Sequence, residues 1–113
     1  MEALRQFEIW WADLPQPAGL RPVLLLTRNS AYQYLNKFII AEITYTVRDI
    51  AVEVRLGAAE GLPAACVANC DNLRTVAKAS LTRRAGSLDR ARWIEVKRAL
   101  GAALGWRELS DLD

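Results

Sequence analysis

Apolar and polar positions along this chain mostly alternate with a period of two. That period marks strands, whose successive side chains point to opposite faces. Residues 7–14 (FEIWWADL) are aromatic and β-branched and predict a first strand. Pro15 and Pro17-Ala18-Gly19 break it and predict a loop. Arg21-Pro22 then opens residues 23–27 (VLLLT), a continuous apolar run that predicts a buried strand. Proline confines the residue before it to extended conformations. Arg21 is therefore a cation on a stiffened backbone at the mouth of that strand, although a plain surface arginine would look the same. Residues 28–37 are polar around Tyr32, Tyr34 and Leu35 and predict a short helix or an excursion.

Residues 38–48 (FIIAEITYTVR) predict the central strand. Alternation puts Ile39, Ala41, Ile43 and Val47 on one face and Glu42, Thr44, Thr46 and Arg48 on the other. An acid, two hydroxyls and a guanidinium could wall a site. The same pattern also suits an ordinary half-buried strand with a polar solvent face. Asp49 predicts a turn, residues 51–56 (AVEVRL) another strand, and residues 57–63 a loop with two glycines and a proline. Residues 66–72 (CVANCDN) predict a further strand, extended through residue 76, with Cys66, Ala68 and Cys70 inward and Asn69 and Asp71 outward. Residues 81–86 read as a short connection. Ser87 is placed to cap a following helix, whose buried stripe is Trp93, Val96, Leu100 and Leu104. Gly105 suits its end, and residues 107–113 read as a loosely held tail.

Five or so strands followed by a helix predict a mainly β, α+β fold: a small, strongly bent sheet or barrel with the helix packed at one end or edge. At 113 residues, 52% apolar and 25% charged, the chain suits one compact domain, residues 1–113, whose core needs no metal or disulfide. No run of about 18 apolar residues predicts a membrane span. Residues 1–7 contain no hydrophobic signal region, so a cytoplasmic location is expected.

Charge and cysteine usage narrow the chemistry. Residues 74–98 carry eight Lys or Arg against Asp89 and Glu95, a net +6 that would attract a polyanion or form the solvated side of a helix. Cys66 and Cys70 lie about 13 Å apart along a strand at ~3.3 Å per residue, too far for a disulfide. Two cysteines without histidine make a poor zinc site, so small buried apolar residues are the better reading. The absence of histidine also removes histidine-based acid–base catalysis.

These residues resemble a known family. Glu8-Ile9-Trp10-Trp11-Ala12-Asp13-Leu14-Pro15, Gly19 and Arg21-Pro22-Val23-Leu24-Leu25-Leu26-Thr27 look like the opening of MazF/PemK toxins. Ile43-Thr44-Tyr45-Thr46-Val47-Arg48 looks like their central strand, and Asp71-Asn72-Leu73-Arg74-Thr75-Val76, with Lys78 and Leu81, like their late strand. Arg84-Ala85-Gly86-Ser87-Leu88 resembles the step into their last helix. The ordered set spans roughly residues 5–105 and is far more specific than any one fragment.

The resemblance implies an SH3-like barrel of the PemK/CcdB type with a C-terminal helix. It implies the toxin of a bacterial type II toxin–antitoxin system: an endoribonuclease, or mRNA interferase, that cuts single-stranded RNA (mRNA, tRNA or rRNA) at short sequences without a metal or cofactor. It further implies a homodimer silenced by a MazE-like antitoxin. Arg21 matches the family's catalytic arginine and Thr44 its catalytic threonine. Asp71 and Asn72 match RNA contacts, and Trp11 an aromatic near the groove. Thr46, Arg48 and Asn69 join them as candidate RNA contacts.

The chain also departs from the family pattern. Phe7 stands where a glycine is common, and Tyr45 where a small hydroxyl residue is. Asn69 replaces an arginine of some relatives. The loop before Arg21 is short, ends in Leu20 and lacks the acid of many members, whereas Glu42 stands where proline or alanine is usual. Glu42 is thus a candidate acid or base in place of the missing loop acid. A CcdB-like gyrase-directed toxin and a non-catalytic RNA- or protein-binding barrel are the competing readings.

Overall fold

The computed structural model describes residues 3–113. Met1 and Glu2, the start of the stretch read for a signal region, lie outside the described residues. Strands β1 (Glu8–Leu14), β2 (Gly19–Leu25), β3 (Lys37–Thr44), β4 (Glu53–Leu56), β5 (Cys66–Ala77) and β6 (Leu81–Ser87) form one antiparallel sheet. Its order is β4-β5-β3-β2-β1-β6. Helix α1 (Trp93–Leu104) and the single turn α2 (Arg107–Ser110) follow.

The sheet buries parts of both faces, which is why the run at Val23-Leu24-Leu25 shows no alternation. One face carries Ile9, Leu24, Ala41, Ile43, Val54 and Ala68, and α1 lies over it through Val96 and Ala99. Burying a side chain such as Val96 contributes on the order of 1.5–3 kcal/mol. The other face carries Trp10, Ala12, Val23, Leu25, Phe38, Ile40 and Val76, closed by Tyr32 and Leu81. The sheet curls because β5 bends. Ala41 pairs with Leu73, yet the next residue of β3, Glu42, pairs with Asn69. The intervening β5 residues have no partner on β3, and such a bulge sharpens the local twist.

Ile39, Ala41 and Ile43 share a face as alternation predicts, but they are not equally buried. Ala41 and Ile43 are buried under α1 as expected, but Ile39 is 50% exposed. It pairs with Thr75, beyond the bulge, where α1 no longer covers the sheet. Phe38 and Ile40 are buried on the opposite face instead. β3 also ends at Thr44, so Thr46, Val47 and Arg48 belong to an exposed loop. There the Thr46 N–H donates to Thr44 Oγ1, a local bond that competes with ladder pairing.

Residues 81–87 are not a connection but the edge strand β6, paired with β1 from Glu8↔Ser87 to Ala12↔Leu81. Ser87 therefore cannot cap the helix. The chain enters α1 through a 3-10 turn, Arg90–Arg92, with no side-chain cap. Glu95 lies in the first turn of α1 and accepts from Arg92 at 2.7 and 2.8 Å, which holds its carboxyl below the usual range. Gly105, at φ 66°, ends α1 as expected. Leu104 is 58% exposed rather than part of the stripe, which runs through Trp93, Val96, Ala99 and Leu100. The tail is tied down: Arg98 Nε donates to the Leu112 carbonyl at 2.6 Å, and a Cβ on Gly101 would lie 2.2 Å from the Ser110 nitrogen.

Cys66 and Cys70 are free, buried core residues beneath α1. Burial, helped by the neighbouring Asp71 carboxylate, pushes the Cys70 thiol up to about 11. Burial raises Cys66 as well. Both are neutral packing groups. The basic run 74–98 forms no single face, because it is divided among β5, β6 and α1. Arg84 pairs with buried Glu8 at 3.1 Å, Arg92 with buried Glu60 at 3.3 Å, and Arg83 and Arg90 lie over the rings of Trp11 and Trp93.

Candidate active site

The face of the sheet opposite α1 holds a pocket of about 260 Å³ lined by Ala18, Arg21, Glu42, Ile43, Thr44, Thr46, Arg48, Asn69 and Asn72. Strand register builds it. Arg21 pairs with Ala12 and lies two residues from Val23, which in turn pairs with Glu42. Arg21, Val23, Glu42 and Ala12 therefore share a face. Glu42 and Thr44 are two apart on β3, opposite Asn69 and Val67 of β5. Three strands thus deliver a guanidinium, a carboxylate, a hydroxyl and an amide to one concavity.

The side chains are held to different degrees. Arg21 is exposed, and its Nε donates to the Ala18 carbonyl at 3.2 Å, which aims the guanidinium along the β1–β2 turn. Asn69 is only 8% exposed, and its Oδ1 accepts from the Asp71 N–H at 2.9 Å. Glu42 Oε2 lies 3.7 Å from Arg74 Nη1. Arg48 belongs to an exposed turn whose N–H groups, at Arg48 and Asp49, donate to the Glu53 carboxylate at 2.9–3.3 Å. Asp49 takes a left-handed backbone, φ 58°, which sets the turn. Its carboxylate pairs with Arg55.

Glu53→Ala is expected to speed hydrogen exchange at the Arg48 and Asp49 amides about tenfold or more, since a hydrogen bond to a charged group is worth about 1.5–3 kcal/mol. Unchanged exchange would show that the carboxylate does not hold the turn.

Of the candidate residues, Arg21, Glu42, Thr44, Thr46, Arg48, Asn69 and Asn72 are brought together. Two are not. Trp11 shares a face with Ile9, on the α1 side of the sheet, where it packs against the core beneath Arg83. The double Trp10-Trp11 straddles the sheet, so only one of the two could face the pocket side, and that one, Trp10, is buried. Asp71 is exposed in the β5 bulge and outside the pocket. Asn69, expected outward, is nearly covered. Arg74 and Glu53 were not singled out in the sequence. Arg74 was legible only as one cation in a basic run and as part of the late-strand stretch, and Glu53 only as a residue of a short strand.

A larger hollow of about 550 Å³ adjoins the pocket, lined by Asp13, Gln16, Arg74, Thr75 and Ser80 among others. Arg74 belongs to its wall and pairs with Glu42 of the smaller pocket, so the two form one surface. The larger hollow lacks the convergence of Arg21 and Thr44. Among the described residues no cluster of three or more Cys, Asp or Glu has metal-binding proximity, and no helix is long and apolar enough to cross a membrane.

Comparison with known proteins agrees with this architecture. "Probable endoribonuclease MazF2" of Mycobacterium tuberculosis is 35% identical over 103 residues, covering 90% of this chain and 99% of that protein. The solved structure "Mycobacterium tuberculosis toxin MazF-mt6" superposes with a TM-score of 0.80 at 36% identity, over 94% of this chain and 98% of that one. An "Endoribonuclease in complex with its cognate antitoxin from Mycobacterial species" superposes with a TM-score of 0.80 at 27% identity, over 91% and 96%. The family described as "PemK-like, MazF-like toxin of type II toxin-antitoxin system" matches residues 5–104, and the chain belongs to that family.

Proposed function

We propose that this toxin is an endoribonuclease that cuts single-stranded RNA by attack of a 2′-hydroxyl on the adjacent phosphorus. The observation that carries the reading is the convergence of Arg21 and Thr44, from separate strands, in one polar pocket with Asn69 and Asn72. In-line attack builds negative charge on the non-bridging phosphoryl oxygens. A guanidinium answers it with two parallel N–H donors, worth on the order of 3 kcal/mol of barrier per preorganised donor. Thr44 Oγ1 donates to the same phosphate or orients the 2′-hydroxyl. The nucleophile belongs to the substrate, so the chemistry requires no metal. Thr46, Arg48, Asn69 and Asn72 offer donors and acceptors to bases and phosphates beyond the scissile bond.

The proposed partner is a MazE-like antitoxin, supported by the antitoxin-bound mycobacterial structure. A homodimer in the cytoplasm completes the reading. Leu104 and Trp106, each more than half exposed at the end of α1, supply apolar surface for contact between copies.

Purified protein incubated with long RNA in EDTA tests the proposal. The expected outcome is internal cuts leaving 2′,3′-cyclic phosphate and 5′-hydroxyl ends, abolished by a 2′-deoxy sugar at the cut site. RNA left intact while gyrase is poisoned would replace this reading with a gyrase-directed toxin. RNA bound but uncut would leave a non-catalytic barrel.

A further inference from the structure

We infer that Glu42 accepts the proton of the attacking 2′-hydroxyl and that Arg74 is its positioning residue. This inference rests on the endoribonuclease reading. A 2′-oxygen attacks efficiently only as its proton leaves, and the pocket must supply the acceptor. Arginine side chains stay protonated in proteins, and neither an amide nor a threonine hydroxyl is a useful base. The chain has no histidine. Among the described residues lining the pocket, Glu42 is the one carboxylate. It stands two residues before Thr44 on the same face of β3 and is partly exposed, so a substrate can reach it.

Among the described residues, the charged side chains that line the pocket with Glu42 or pair with it are cations. Arg21 comes from β2, Arg48 from the turn after β3, and Arg74 from β5. The β5 residue opposite it in the ladder, Asn69, is neutral. The other nearby acids are engaged or lie outside the pocket: Glu53 holds the Arg48–Asp49 turn, Asp13 lines the adjoining hollow, and Asp71 is exposed in the β5 bulge. Arg74 lies 3.7 Å from Glu42 Oε2 and about one-third exposed. It positions the carboxylate through this ion pair, while the terminal nitrogens of Arg21, which make no hydrogen bond among the described residues, remain available for phosphate. A proline or alanine at position 42 could not play this part.

The step balances. The O2′–H bond breaks and its proton passes to the Glu42 carboxylate as O2′ bonds to phosphorus. The P–O5′ bond breaks, and O5′ leaves with its electron pair and takes a proton from a water molecule. Glu42 then returns its proton to solvent.

Single-turnover cleavage of a short RNA across pH 5–9 tests the inference. Glu42→Gln should cut about 100-fold or more slowly and lose the fall in rate toward low pH. It should bind an uncleavable 2′-deoxy analogue at least as tightly as the wild type, because an anion has been removed. Glu42→Asp should recover part of the rate and keep the acid limb, and it decides the matter if the Gln variant fails to fold. Arg74→Ala should lower kcat with little change in analogue binding, with partial rescue by Arg74→Lys. Glu42→Gln cutting within a few-fold of wild type with the same acid limb would overturn the role of Glu42. An unchanged kcat in Arg74→Ala would overturn the role of Arg74. If the wild-type protein itself leaves RNA intact, the endoribonuclease reading fails first.

Discussion

Arg21→Ala should reduce RNA cleavage about 100- to 1,000-fold while the protein melts at the wild-type temperature. Arg21 is exposed, and its one hydrogen bond among the described residues runs from Nε to the Ala18 carbonyl. Removing such a side chain changes stability by about 0.5 kcal/mol or less. Its terminal nitrogens make no protein hydrogen bond among the described residues and are free to meet a phosphate. The backbone beneath them is stiff, because Pro22 confines Arg21 to extended conformations and Ala12 pairs with it across the ladder. Arg21→Lys should restore only part of the rate, since an ammonium cannot present two fixed parallel donors. Thr44→Val, which deletes a single neutral donor, should cost less than Arg21→Ala. Rates are read from fluorescent RNA under single-turnover conditions, and folding from thermal melts. Cleavage by Arg21→Ala within threefold of wild type would remove Arg21 from the chemistry.

Much of this site was legible because a two-residue period and a proline act locally. Arg21, Glu42 and Thr44 need only strand alternation and the residue-before-proline rule to be placed on polar positions. What alternation cannot supply is a bulge. Three β5 residues, Cys70, Asp71 and Asn72, fall between the partners of Glu42 and Ala41, and nothing in their composition announces that gap. Asn69 lines the pocket on one side of the gap, and Asp71 within it stays outside the pocket. The placement of Trp11 failed for a related reason. Two adjacent tryptophans must occupy opposite faces, and the sequence does not say which face α1 will cover. β6 was missed because Thr82-Arg83-Arg84 is polar. An edge strand needs few apolar residues when its backbone is satisfied by β1 and its cations by Glu8 and the Trp11 ring.

Gly61→Ala should destabilise the protein by about 3 kcal/mol, from ~1–2 kcal/mol of left-handed backbone strain and a further ~1–3 kcal/mol of overpacking. For a domain of this size that lowers the melting temperature by about 10–20 °C. The reason lies in how the curled sheet closes. β4 and β6 are its two edges, far apart in strand order. The turn after β4 reaches across to β6, where a Cβ on Gly61, at φ 84°, would lie 2.0 Å from the Ala85 carbonyl oxygen. From the other side, a Cβ on Gly86 would lie 2.2 Å from the Glu60 carbonyl oxygen. The two backbones touch where only glycines fit. Arg92 reinforces the junction by donating to the Arg55 carbonyl of β4 at 2.6 Å and to Glu60 at 3.3 Å. Gly86→Ala should therefore be costly as well, through contact alone. Gly105→Ala is the control, because Gly105 shares the positive φ, at 66°, but has nothing within 4 Å of its missing Cβ. It should cost only the backbone strain, ~1–2 kcal/mol. Thermal melts of the three variants order the effects. If Gly61→Ala melts no lower than Gly105→Ala, the edges of the sheet are not joined by this contact.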